Sequence, residues 1–437
     1  MIRTLKKIVT NESLWNRIVF TFSVLLIFRI GHYVKIPFAE MTNVSTGSGF
    51  ADILNMASTF TGGNFSKACL FTLGVSAYIS TSLVISMLKI ISKASEGAIF
   101  KKFYKWEEEG TYGRVKFERV TRICSVLVSL VYGIGFLSIV PLTDDSLITK
   151  ILFVAMLVAG STICIWLGDL ITEKGIGNGI SILMFAGIVA RIPSEFSTAY
   201  QMLQSNFTEQ KYIFYLIFAG YIVVYLIFLR FICNLEITNR KINLQTSMKS
   251  KNEKRHFLPM LLKLNFGGVM PVIFASAIFA WASVGTMFVD AESGFAKFLG
   301  YMSYSSWIGL GIYALLIFIF SYFYSKLSFN AEEQAKNLRR NNQVIVGVRP
   351  GKDTVKYLSN TIRNISIIAG FALIIIAVVP YMLPLVWSNS AASSLVFGGT
   401  SIMIVASVSI ESIKQIKSQI KEVHGFMDVA NEKTVLK

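Results

Sequence analysis

The sequence predicts an all-α membrane protein of about ten transmembrane helices, and three observations predict it. Apolar residues fill 53% of the 437 positions and charged residues only 15%, with a mean hydropathy of +0.58, outside the balance of a water-soluble domain. Apolar runs long enough for a hydrocarbon core of ~30 Å recur from one end of the chain to the other. Ionisable residues stand at the edges of these runs, at Arg29, Lys89, Arg122, Asp169, Arg230, Asp290, Lys326, Arg363 and Glu411, and the middles hold none.

The first run, residues 18–28, follows a charged start at Arg3, Lys6 and Lys7 and precedes no small-residue cleavage site, so it reads as a retained span. Residues 68–88, 123–140 and 151–167 supply the next three spans. The fifth, 180–190, is short and opens on Gly175, Gly177 and Gly179. Glycines at alternate positions cost backbone entropy and bring no packing, so this stretch reads as a polar hinge opening a discontinuous helix. Residues 212–229, 269–289, 307–325, 365–387 and 395–410 complete the set.

Charge then fixes the topology. The net charge of +17 is concentrated on one side of the spans. That side carries the amino-terminal basics, Lys101 to Arg119, Arg240 to Arg255, Lys336 to Lys356, and Lys414 to Lys421. The opposite side has scattered basics such as Lys35, Lys150 and Arg191, so the positive-inside bias puts both termini in the cytoplasm of a multi-pass plasma-membrane protein. The expected organisation is a first half over 1–190, an external hinge over 191–211, a second half over 212–413 and a cytoplasmic tail over 414–437, as in inverted repeats about a central path.

Two cytoplasmic loops, 230–263 and 326–363, are far longer than the roughly 2–8 residues that join helices in bundles. Their basic residues suit topology and attraction to anionic lipids, and their length suggests docking platforms. The second loop contains an amphipathic helical pattern over 331–340, followed by the turn Gly347-Val348-Arg349-Pro350-Gly351.

Chemistry of the enzymatic kind has no foothold. A proton-coupled carrier needs an ionisable group near the midplane, and none is present. Paired intramembrane aspartates, a His-Glu-x-x-His helix, a Gly-x-Ser-x-Gly elbow and a phosphate loop are missing from the sequence. Cys69, Cys124, Cys164 and Cys233 lie in or beside apolar runs and read as small core residues, and the three histidines are too scattered for a metal site. The chain is therefore expected to be no enzyme and to carry no cofactor or metal.

Short motifs in fixed order narrow the reading. Trp166-Leu167-Gly168-Asp169 and Thr172-Glu173-Lys174-Gly175-Ile176-Gly177-Asn178-Gly179 precede the fifth span. Phe28-Arg29-Ile30-Gly31 ends the first, and Phe60-Thr61-Gly62-Gly63-Asn64-Phe65-Ser66-Lys67 precedes the second. Trp106-Glu107-Glu108-Glu109-Gly110, Leu264-Asn265-Phe266-Gly267-Gly268-Val269-Met270-Pro271 and Phe397-Gly398-Gly399-Thr400-Ser401 precede the third, seventh and tenth. This ordered series resembles the SecY family, the protein-conducting channel subunits of the Sec translocon.

The resemblance implies two pseudo-symmetric five-helix halves around an hourglass pore, with a lateral gate between the second-third and seventh-eighth helices. It implies a pore ring of Val75, Ile79, Met184, Ile188, Ile273 and Ile404, and a plug over about 52–67 that docks through Phe60 and Phe65 and turns at Gly62 and Gly63. An apolar ring without hydrogen-bonding groups closes around any extended polypeptide and, when empty, dewets against ions. The implied activity is passage of unfolded, signal-bearing preproteins across the plasma membrane and release of membrane segments sideways; the alternative is a secondary small-solute transporter built of inverted repeats. Implied partners are SecE-like and SecG-like small membrane subunits and a SecA-type ATPase or a ribosome, docking at Arg240, Lys241 and Arg349. Ala77 and Ser86 stand where the family usually has proline and glutamine, which leaves both the general pathway and an accessory one open.

Overall fold

Within hydrocarbon every backbone amide must pair inside the chain, so apolar runs of this length fold as helices. The computed structural model describes residues 12–37, 69–94, 106, 111–137, 140, 142, 144, 146–206, 211–246, 257–285, 294, 301, 304, 306–386 and 398–435. Its elements are α1 (Glu12–Gly31), α2 (Ser76–Ala94), α3 (Thr111–Leu137), α4 (Leu147–Lys174), α5 (Gly179–Asn206), α6 (Lys211–Ile237), β1 (Asn239–Thr246), β2 (Phe257–Lys263), α7 (Met270–Gly285), α8 (Trp307–Ser328), α9 (Ala331–Arg340), β3 (Gln343–Ile345), α10 (Lys352–Val386) and α11 (Gly399–Val435). Among the described residues, each expected span overlaps one of these helices. Among the described residues, seven helices are long and apolar enough to cross a bilayer, and α2 and α7 contribute shorter apolar stretches.

The chain divides into two compact units, one of Met1–Ser194 with Val408–Lys437 and the other of Glu195–Ser407. In the first unit α2 packs on α3, α3 on α4 and α1 on α4. Close approach depends on small residues, as is usual between membrane helices. A Cβ on Gly160 of α4 would lie 1.9 Å from the Leu70 carbonyl oxygen. Stacked Phe136 and Phe153 rings, 6.3 Å apart, centre a core with Ile36, Leu73, Val140 and Leu157. At the polar end of the α3–α4 pair, Arg122 meets Asp169 at 3.1 Å.

In the second unit α8 lies along α10, where Gly370 admits the ring of Phe318, and α7 packs on α8. Val272, Phe279, Tyr313, Leu373 and Ile376 form the centre of its core. Helix α6 is the least enclosed span, with 6% of its apolar window buried.

One expectation is corrected. Residues 69–75 are not helical: Leu70 donates its N–H to the Val34 carbonyl (2.9 Å), and Gly74 takes a left-handed φ of 49°, so α2 starts only at Ser76. Within the segment expected as an external hinge, 191–211, α5 continues through Pro193 to Asn206 and α6 begins at Lys211. Phe196, Ala199, Tyr200 and Leu203 recur at helical spacing, and Phe196 and Tyr200 make ring contacts with Tyr221, Tyr225 and Phe218 of α6, a tertiary gain that outweighs the amide lost at the proline. The two long loops also share secondary structure. Their strands form one antiparallel sheet in the order β2-β1-β3, with Lys241 opposite Leu261 and Leu244 opposite Ile345. Ile242, Leu244, Leu262, Leu338, Ile345, Leu358 and Ile362 close a satellite core beneath it.

Candidate functional site

Between α4 and α5 each glycine has its own steric cause. Gly175 caps α4 through its N–H to the Ile171 carbonyl (2.8 Å), and a Cβ there would meet Thr21 Oγ1 at 2.5 Å. Gly177 sits at φ 80°, in the left-handed region that only glycine enters freely. Gly179 lies against the Gly168 carbonyl, 1.9 Å from where its Cβ would be. Polar side chains satisfy the amides this turn frees. Thr21 Oγ1 accepts from Ile176 N–H (3.1 Å), Thr172 Oγ1 accepts from Gly179 N–H (2.8 Å), and Asn178 Oδ1 accepts from Ile180 and Ser181 N–H (3.2 and 3.4 Å). The last pair is an N-cap, a signal that Asn-x-x-Ser before an apolar run carries in the sequence. The turn is thus tightly specified in this conformation.

The six ring candidates divide between the units. Val75, Ile79, Met184 and Ile188 belong to the first, Ile273 and Ile404 to the second. Only Ile79 of the first pair lies within α2; Val75 precedes it by one turn and its carbonyl accepts from the Ile79 N–H (3.0 Å), which keeps the pair on one side. Met184 and Ile188 are one turn apart on α5, with Ile188 buried and Met184 half-buried. Ile273 on α7 and Ile404 on α11 are buried. The plug candidates Phe60, Gly62, Gly63 and Phe65 lie outside the described residues.

A brace absent from the sequence reading joins the helices that carry Ile273 and Ile404. Glu236, near the end of α6, accepts from Asn265 Nδ2 (3.4 Å) and from Ser407 Oγ (3.3 Å). Asn265 Nδ2 also donates to the Gly268 carbonyl (3.0 Å), in the turn that opens α7. The Asn-Phe-Gly-Gly motif signals a turn, but the carboxylate that reads it is 29 positions away in sequence.

Of the docking candidates, Arg240 and Lys241 are neighbours on β1 and Arg349 follows β3. All are exposed and all belong to the sheet-bearing part of the second unit. Successive strand residues face opposite ways, so Arg240 shares a side with Ile242 and Leu244 while Lys241 joins Asn243 and Gln245. β3 pairs with the far end of β1, from Leu244 onward, roughly 13 Å along the strand from Arg240. The turn bearing Arg349 is fixed by Gly347 at φ 81°, Gly351 at φ 111°, and a hydrogen bond from Thr354 Oγ1 to the Arg349 carbonyl (2.9 Å). Its backbone is held and its side chain is presented to solvent.

Comparison with known proteins identifies the family and the fold. The SecY family model matches residues 69–413. A protein translocase subunit SecY of Mycoplasma capricolum is 33% identical, the alignment covering 97% of this chain and 90% of that one. A solved protein-conducting channel superposes with a TM-score of 0.65 at 16% identity, covering 94% of each chain. Sec61 in the canine ribosome-channel complex superposes with a TM-score of 0.59 at 16% identity, again over 94% of each chain.

Proposed function

Since this chain belongs to the SecY family and is a protein-conducting channel subunit of a translocase, we propose a division of labour among its parts. The observation that carries the reading is the 33% identity to a translocase subunit over 97% of the chain. The protein is a multi-pass membrane protein; plasma-membrane placement with both termini cytoplasmic is our reading of the basic loops.

Val75, Ile79, Met184, Ile188, Ile273 and Ile404 form the apolar gasket. Helical spacing within the pairs and burial of five of the six support this. Such a ring offers a passing chain no hydrogen-bond partner, so no side chain is retained, and Met184 supplies a flexible thioether to a seal that must change width. The segment at 52–67 is the plug, and the glycine turn at Gly175, Gly177 and Gly179 sets the entry angle of α5. Membrane segments leave sideways between the halves, while signal-bearing preproteins pass through.

No nucleotide site is legible in the sequence, so the driving force is supplied in trans, by a SecA-type ATPase or a translating ribosome on the sheet-bearing loops. The likeness to a channel solved on a ribosome favours including the ribosome. Arg349 is the foremost contact because its backbone is fixed, with Arg240 and Lys241 as flanking charges. SecE-like and SecG-like subunits and anionic lipids complete the assembly. A small-solute carrier is not favoured, because the spans lack midplane ionisable groups.

The test places a photocrosslinking residue at Ile404 in the channel reconstituted with its motor and a stalled precursor. Crosslinks that need ATP and a functional signal sequence are expected. A precursor that never crosslinks there with any cognate motor overturns the ring assignment.

A further inference from the structure

Helix α9 and the first turns of α10 face each other across an open groove of about 550 Å³, within the second unit and on the polar side of its spans. Lys336 and Arg339 line it from α9, and Lys352 and Lys356 from α10. Glu332 is the lone carboxylate on its wall. Among the described residues none of the four cations makes an ion pair, and all four are exposed.

That arrangement is costly for the free chain. Lys352 and Lys356 are four apart and Lys336 and Arg339 three apart on their helices, spacings at which like charges repel. Lys352 also stands at the amino end of α10, where the helix dipole disfavours a cation. α9 itself follows the stabilising rule, with Glu332 and Glu333 in its first turn and Arg339 and Arg340 in its last, and Asp353 stands beside Lys352 in the first turn of α10, so what marks the groove is its lining of four cations against one carboxylate. A ligand that offsets four cations in so small a volume must carry several negative charges on few atoms. Peptide carboxylates bring one charge per side chain, whereas a phosphate chain brings three or four within a span of roughly the groove's size. Ser359 and Asn360 add neutral hydrogen-bonding groups to the lining.

We propose that this groove binds a soluble polyphosphate group, of the kind carried by nucleoside di- and triphosphates. The site is distinct from Arg240, Lys241 and Arg349 and does not depend on their role. Lipid headgroups are disfavoured as its source, because the apolar run of α10 starts only at Ile365, nine residues beyond Lys356 and about 13 Å along the axis.

The probe is inorganic tripolyphosphate, titrated calorimetrically into the full chain in nanodiscs of zwitterionic phosphatidylcholine. One saturable site is expected, weakened about tenfold by Lys336→Gln and by Lys352→Gln. Lys263→Gln removes an equal charge away from the groove and should change binding less than about twofold. The same titration in anionic phosphatidylglycerol nanodiscs should retain the site. Absence of saturable binding, or equal weakening by Lys263→Gln, overturns the proposal. Loss of the site only in the anionic discs would assign the groove to a lipid headgroup and overturn it as well.

Discussion

A methyl group at Gly179 has nowhere to go, because the Gly168 carbonyl oxygen would lie 1.9 Å from it and belongs to backbone that no rotamer change can move. Gly179→Ala should therefore push α5 off α4 and cost about 1–3 kcal/mol, read as a lowered melting temperature of the purified channel. Gly177→Ala meets no backbone clash but forces a side chain into a left-handed conformation at φ 80°, a penalty of roughly 1–2 kcal/mol in the same assay. Equal melting temperatures for wild type and both variants would refute this account of the turn. The sequence made the glycines conspicuous as a hinge opening α5, and in the structure each is required where atoms are closest or the backbone most constrained. Of the partners of that turn, Thr172 lies within the same motif, seven residues from Gly179, whereas Thr21 was illegible because nothing in a local window tells a hydroxyl in α1 that an amide 155 positions later needs it.

At the level of elements, the spans were legible because bilayer thickness imposes a length that apolar runs must meet. The cytoplasmic sheet was not. Strands β1 and β2 read as basic loop because Asn239–Thr246 places its apolar residues, Ile242 and Leu244, at only two alternate positions, and β3 is three residues long. What stabilises them comes from elsewhere, chiefly Leu358 and Ile362 on the polar extension of α10. Leu358 is fully buried, so Leu358→Ala should cost about 2–5 kcal/mol locally. Hydrogen exchange should then accelerate at Leu244–Thr246 while protection in α4 is unchanged. Uniform acceleration through the spans would mean that the sheet is not an independent satellite.

Across the whole molecule, the proposed ring takes Val75, Ile79, Met184 and Ile188 from one unit and Ile273 and Ile404 from the other. Ile188→Asn or Ile404→Asn should add a polar group to the seal and let precursors with defective signals through, measured as raised export of a signal-defective reporter; unchanged selectivity in both would count against the ring. Arg349→Glu should impair motor-driven export by an order of magnitude while membrane insertion of the channel is retained, since a reversed charge on a fixed turn repels an acidic partner surface without touching the core. Charge bias and ordered motifs made the membrane class and the family readable from the sequence, whereas the Glu236 brace was not, its members being separated by up to 171 positions. Mechanically, the long helix α10 matters most. Its 35 residues span about 52 Å, well beyond a bilayer's apolar thickness, so it runs as one rod from the basic groove into the apolar core. Toward its other end the Ile376 carbonyl abuts Gly399, 2.2 Å from where a Cβ would be, at the start of the helix that carries Ile404. Leverage applied at Lys352 is consequently delivered to that seat with little slack, and a tilt of about five degrees, over the roughly 36 Å between them, becomes a stroke of about 3 Å.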